Sequence, residues 1–389
     1  MANERTGVRR RSVLAGAAAG AAAAFAGRRA GAADEIVVGA TVPITGILAS
    51  SGLQYYDALQ LAVADINAAG GINGKTFRIA FEDTGASTSV AVNAFIKLAE
   101  QLAPPFIFLS SYTVQNLAVE PQVARAAIPT VYAGGAIAIA ARHDPWMFRI
   151  RPQDTLAGEA IGAFTAKRLG LTDIGIIHVL DDYGTATAKS TEAALIKAGA
   201  KVVATAGYNA RDSDYAPQLL SLKNAGAKAL IAFSYIRDGA LVLRQRNTLG
   251  LTMPFIGNTS FVVPSLLDLV GPDDLKDVWV ELDAMLGDTI GPQSVSYMQR
   301  FQQKFGMGAD PFGSCFYDAA MILADALRKV GPDRVAIRDY FAHVTDYPGV
   351  TRRFTTDALG NMAHSVVMAA FVPGGKTFKL IETHQQGAT

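Results

Sequence analysis

Cysteine is nearly absent: Cys315 stands alone among 389 residues, so no intramolecular disulfide can form and stability must come from packing. It sits in Gly313-Ser314-Cys315-Phe316-Tyr317, at the start of an apolar helical stretch, where a buried and inert thiol is expected. Histidine is sparse too. The five present, His143, His178, His343, His364 and His384, never recur at helical ligand spacing, so no metal site is expected. His178 lies in an apolar strand and reads as a core residue. The turn after the first apolar strand, Thr41-Val42-Pro43-Ile44-Thr45-Gly46-Ile47, lacks the Gly-x-Gly-x-x-Gly that would let backbone approach a pyrophosphate. A Gly-x-x-x-x-Gly-Lys-Ser/Thr loop and a Gly-x-Ser-x-Gly elbow are missing as well. No cofactor and no enzymatic chemistry are therefore expected.

Dense basic runs are also missing beyond the first 33 residues. Those residues hold six arginines and one acid, which leaves 29 basic against 33 acidic residues, about −4 net, from Asp34 onward. Such a balance offers no electrostatic footprint for nucleic acid or anionic lipid. The arginine-rich start has a different meaning. Arg9-Arg10-Arg11-Ser12-Val13-Leu14, an Ala/Gly run to Gly27, and Ala30-Gly31-Ala32-Ala33-Asp34 together form an export signal of the twin-arginine kind over 1–33. Val13 to Gly27 is too short and too rich in small residues to span the roughly 30 Å of a bilayer's hydrocarbon. No cysteine stands near Asp34 to carry a lipid, so a freely soluble, exported, periplasmic monomer is expected.

Some 356 residues then remain, more than one hydrophobic core usually serves, and two lobes are expected. Ile36 to Ala40 reads as a buried strand, and Gln54 to Ala69 as a helix stopped by Gly70-Gly71. The alternation continues with strands at 77–81, 106–109 and 129–132 and helices at 90–102 and 114–127. After Arg149-Ile150-Arg151-Pro152 the series restarts, with helices at 156–169, 185–198, 215–224 and 239–249 and strands at 174–179, 202–206, 229–233 and 255–256. Alternation of this kind predicts an α/β protein of two doubly wound, Rossmann-like lobes. A strand at Val278-Trp279-Val280, followed by helices near 294–305 and 317–329, reads as a return to the first lobe. Several crossings make a multi-strand hinge, with 34–153 plus 282–355 assigned to the first lobe and 154–281 plus 356–389 to the second.

Strand ends of α/β sheets are where ligands bind. In Leu109-Ser110-Ser111-Tyr112-Thr113-Val114 a strand passes through hydroxyl residues into a helix, whose free N–H groups invite an anion unless a side chain caps them. Gly134-Gly135-Ala136 ends the next strand and lets a ligand approach backbone closely. Tyr183, Tyr235 and Asn258-Thr259 follow strands of the second lobe and suit a cleft wall that is part apolar and part wet. Asp181-Asp182 reads chiefly as a helix cap.

Taken in order, these segments resemble the type I periplasmic binding proteins of the leucine/isoleucine/valine class, soluble receptors that feed ABC importers. Pro43-Ile44-Thr45-Gly46, Ala64-Asp65-Ile66-Asn67-Ala68-Ala69-Gly70-Gly71-Ile72-Asn73-Gly74-Lys75, and Phe148-Arg149 with Asp154 carry the likeness. So do Asp182-Tyr183-Gly184, Asp214-Tyr215, and Ala240 to Gly250 leading into Pro254-Phe255-Ile256-Gly257. The resemblance implies two lobes closing on a small carboxylate ligand and docking on an inner-membrane permease. It places the carboxylate loop on Ser111, Tyr112 and Thr113, a second contact loop on Gly134, Gly135 and Ala136, and tyrosines at Tyr183 and Tyr235. Two departures stand out: Ala136 replaces a common threonine, and Asn258-Thr259 replaces the acid that faces an ammonium group. A buried ammonium without a carboxylate is costly, so an aromatic or 2-oxo acid is expected. A branched-chain amino acid or an amide, its amine met by Asp154 or Asp181, is the alternative, and ligand sensing for a signalling partner is another.

Overall fold

The computed structural model describes residues 35–386. The expected export signal lies outside them. Strands β1 (Glu35–Val42), β2 (Thr76–Asp83), β3 (Ile107–Phe108), β4 (Thr130–Tyr132) and β5 (Met147–Arg149) form one sheet in the order β2-β1-β3-β4-β5. All of its pairs are parallel. The crossovers are α1 (Ala49–Ala68), α2 (Thr88–Lys97) and α3 (Thr113–Ala126). Val38, Ala40 and Val42 on β1 and Leu59, Ala62 and Ile66 on α1 are fully buried, so the helical repeat of apolar residues faces the sheet.

The second lobe holds α4 (Asp154–Ala163), β6 (Asp173–Val179), α5 (Asp182–Lys197), β7 (Lys201–Tyr208), α6 (Ala216–Asn224), β8 (Ala229–Phe233), α7 (Ile236–Thr248) and β9 (Phe255–Gly257). Its sheet is completed by β10 (Val278–Leu282) and, after the chain has passed through α8 (Pro292–Phe305), α9 (Pro311–Val330) and α10 (Arg334–Ala342), by β11 (Ser365–Phe371) and β12 (Phe378–Gln385). The order across it is β12-β11-β10-β9-β8-β6-β7. β10 pairs in parallel with β9, whereas β11 and β12 are antiparallel additions at one edge.

The strand at 278–280 therefore does not return to the first lobe: Val278, Trp279 and Val280 register with Phe255, Ile256 and Gly257 in the second sheet. The return begins after Leu282. Tyr297, Phe301, Phe316 and Leu323 of α8 and α9 join the core that holds Tyr55, Leu59 and Phe108. The chain crosses between lobes three times: through residues 150–153, after Leu282, and between Phe354 and Ser365. Near the last crossing Met362 N–H donates to the Arg149 carbonyl at 2.9 Å, which ties two of the connections together. Among the described residues no helix is long and apolar enough to cross a membrane.

Candidate functional site

The start of α3 is built by its own first turn. Gln115 accepts the Ser110 hydroxyl at 2.7 Å, and the Asn116 amide donates to the Ser110 carbonyl at 3.1 Å. Tyr112 occupies the cap position in an extended conformation and supplies no side-chain cap. The first amides of α3 are thus left open, unlike those of α5 and α9, which Asp181 and Asp310 cap. Asp181 thereby takes the capping role its position implied, and its second oxygen accepts the Tyr235 hydroxyl at 2.7 Å.

In front of α3 lies a cavity of about 40 Å³ between the lobes. Ser111, Tyr112, Thr113, Ser51, Tyr55 and Phe312 line it from the first lobe; Tyr183, Tyr235, Ile236, Asn258 and Ser260 line it from the second, with Arg151 at the hinge. The lobes touch across it. The ring of Tyr112 meets that of Tyr235 edge-on at 5.7 Å, and Tyr235 stacks on Tyr183 at 5.8 Å. Tyr235 and Phe312 pack against the cores of both lobes. Burial pushes the Tyr112 hydroxyl up to about 12, so it remains a neutral hydrogen-bonding group.

Of the residues singled out from the sequence, Ser111, Tyr112, Thr113, Tyr183, Tyr235 and Asn258 converge on this cavity. Gly134, Gly135, Ala136, Asp154 and Thr259 stand behind its wall. Gly134 donates its N–H to Asn116 at 3.1 Å, and a Cβ there would lie 2.3 Å from the Asn116 oxygen, so this glycine lets α3 seat itself. The carbonyls of Gly135 and Ala136 accept the fully buried Arg149 guanidinium at 2.7 and 3.2 Å. Thr259 accepts the Asp283 N–H at 2.7 Å and fixes the second crossing.

Asp154 belongs to a buried charge cluster at the hinge. Arg151 lies 3.1 Å from Asp154 and 2.7 Å from Asp283, and all three are nearly inaccessible. One oxygen each of Asp154 and Glu281, and both oxygens of Asp283, have no hydrogen-bond partner. Burial pushes the Asp154 carboxyl up to about 6, against the pull of Arg151. Burial, with Asp283 beside it, drives Glu281 well above the usual carboxylate range. Arg352, half-buried, donates to the Ser365 carbonyl at 2.8 Å across the third crossing, and its charge acts on Asp283 and Glu281. All three crossings therefore contribute charge to one locus.

Ser260, next to Asn258-Thr259 at the same strand end, reaches the cavity as that position implies, whereas Ser51, Tyr55, Arg151, Ile236 and Phe312 are not singled out by the sequence. Ser51 and Tyr55 share α1 with core positions, and Phe312 arrives from α9, far away in the chain. Arg151 alone carried a signal, as a charge three residues before Asp154 at a strand end. His178 is buried against its neighbour's carbonyl, and burial pushes the Cys315 thiol up to about 12. Among the described residues no cluster of His, Cys, Asp or Glu could hold a metal ion.

Two layered lobes around a hydroxyl-lined, tyrosine-gated cavity define a ligand-binding clamshell. The profile of the periplasmic binding protein family matches residues 35–376, and the chain belongs to that family. An amino acid binding protein of Pseudomonas aeruginosa is 28% identical over 303 residues, covering 76% of this chain and 79% of that one. The same organism's leucine-, isoleucine-, valine-, threonine- and alanine-binding protein is 27% identical over 314 residues, covering 78% and 82%. The fold is shared with the branched-chain amino acid transporter substrate-binding protein LivJ of Streptococcus pneumoniae, solved with isoleucine (TM-score 0.83, 20% identity, 89% of this chain and 99% of that one). It is shared equally with the leucine-binding protein LivK of Thermotoga maritima (TM-score 0.82, 19% identity, 90% and 99%). These relatives are named as binding proteins, and family membership makes this chain a periplasmic-type binding protein as well.

Proposed function

We propose that this protein is the periplasmic receptor of an ABC importer and closes on a small α-amino acid of the aliphatic, branched-chain kind. The observation that carries this reading is the uncapped start of α3, with Ser111 and Thr113 at its mouth, facing the cavity where the lobes meet. Open amides and the positive helix end favour a carboxylate. For the amine, the nearest candidate is Asp154, which keeps one unpartnered oxygen beside Arg151 behind the cavity wall. A zwitterion thus has a carboxylate site in the cavity and a carboxyl within the layer behind it. The relatives named for aliphatic amino acids support the same choice.

The expected aromatic or 2-oxo acid loses its physical basis here. Tyr112, Tyr183 and Tyr235, which could hold a ligand ring, pack against one another instead, Tyr112 edge-on to Tyr235 and Tyr235 stacked on Tyr183. Nor is the site short of acid, since the missing carboxylate beyond β9 is offset by the hinge group. Thermal unfolding with leucine, isoleucine, phenylpyruvate and benzoate decides between them, because a ligand bound only by the native state raises its melting temperature. Leucine and isoleucine are expected to raise it by several degrees. A rise with phenylpyruvate or benzoate alone contradicts the proposal.

A further inference from the structure

A second chamber, of about 290 Å³, opens on the solvent side of the tyrosine gate. Ser51, Tyr112, Tyr235 and Ile236 line both it and the inner cavity, so the two form one passage narrowed by the Tyr112–Tyr235 contact. Space decides how a ligand can sit. At about 10–15 Å³ for each water-sized occupant, the inner cavity of about 40 Å³ accommodates about three such groups when the lobes are closed. That suits the charged end of an amino acid and leaves its side chain to pass the gate.

The outer chamber has its own chemistry. Ile47 (57% exposed), Leu48 and Ile236 give an apolar strip, and Ser50 and Ser51 give hydroxyls. Two guanidiniums stand beside it. Arg237 is engaged, 3.6 Å from Asp238 and 3.2 Å from the Asp212 carbonyl. Asp238 is in turn buried and accepts the Tyr215 hydroxyl at 3.2 Å. Arg211 forms no ion pair among the described residues and projects from the loop after β7, leaving the chamber one positive charge in surplus.

Building on the amino-acid reading above, we infer that this chamber is a specificity subsite for the far end of the ligand, and that it extends the accepted class from aliphatic side chains to amino acids bearing a second carboxylate beyond an aliphatic stretch. The aliphatic stretch lies along Ile47, Leu48 and Ile236, and Arg211 meets the distal carboxylate. Guanidinium suits that task because its fork of donors matches a carboxylate.

The test is titration calorimetry with L-norleucine and L-2-aminopimelate, which differ by the distal carboxylate, and with leucine as control. The dicarboxylate is expected to bind about tenfold tighter at low salt, and Arg211→Ala is expected to abolish that advantage while leaving norleucine affinity unchanged. Equal or weaker binding of 2-aminopimelate overturns the subsite, as does an Arg211→Ala variant that weakens both ligands alike. In those cases binding of leucine leaves the amino-acid reading intact. Absence of binding by leucine and both probes overturns the two together.

Discussion

Replacing Arg151 by methionine removes the cation that two buried carboxylates share while keeping much of the side chain's volume. The guanidinium sits 3.1 Å from Asp154 and 2.7 Å from Asp283, and it is only 8% exposed. Breaking a buried pair by deleting one partner costs about 3–5 kcal/mol, because the remaining charge has neither water nor counter-ion. The variant is therefore expected to lose that much at pH 8. The pH dependence distinguishes this cause from lost packing. Asp154 lies at about 6 even with Arg151 pulling it down, so without the guanidinium it moves higher. A carboxyl whose folded pKa exceeds its unfolded value keeps its proton longer in the native state, so its contribution to stability falls as pH rises between the two values. Each such group changes stability by up to about 1.4 kcal/mol per pH unit. On acidification from pH 8 to pH 5 the variant's native state takes up a proton at Asp154 before the wild type does, and its deficit relative to wild type shrinks by about 1.4 kcal/mol for each pH unit by which its Asp154 pKa exceeds the wild-type value. Urea unfolding followed by tryptophan fluorescence at pH 5, 6.5 and 8 measures this. A deficit below about 1 kcal/mol at pH 8, or one of the same size at pH 5, refutes the reasoning.

Other consequences are as concrete. Thr113→Ala and Ser111→Ala each remove a hydroxyl from the mouth of α3, and calorimetry should show leucine binding weakened about 10- to 100-fold, the worth of a hydrogen bond to a charged group. Gly135→Ala places a Cβ 1.8 Å from an Asp154 oxygen and 2.7 Å from an Arg151 nitrogen. Overpacking of that kind costs about 1–3 kcal/mol, readable by urea unfolding. Asp310 caps α9 through the Gly313 N–H, and burial pushes its carboxyl up to about 7. Wild-type stability should thus fall as pH climbs from about 4 to about 7, and Asp310→Asn, which cannot titrate, should lack up to about 4 kcal/mol of that decline.

Much of the architecture is legible because buried parallel strands and amphipathic helices announce themselves by period. Ile174 to Val179 and Ala229 to Phe233 are apolar runs bounded by turns, and both are strands. β12 escaped notice because Phe378 to Gln385 lies exposed over nearly its whole length at the edge of a sheet, so no alternation marks it. β10 reads from sequence as the start of the return to the first lobe, although the lobe bounds keep 278–281 in the second, because an apolar strand reads the same in either sheet and only pairing decides. Within the site, the loops that follow strands were visible: Ser111, Thr113, Tyr183, Tyr235 and Asn258 all sit where a strand gives way to a helix or turn. Residues that reach the cavity from helix faces, such as Ser51, Tyr55 and Phe312, look like core by their spacing. Gly135 and Asp154 belong to a layer behind the wall, a distinction of a few ångströms that spacing does not encode.

The account stands or falls on where an amino acid sits. A crystal structure grown with leucine is predicted to place it between the lobes, its carboxylate within about 3 Å of the Ser111 or Thr113 hydroxyl and the first amides of α3. Leucine bound on an outer surface, or between the lobes with its carboxylate turned away from α3, contradicts the central claim.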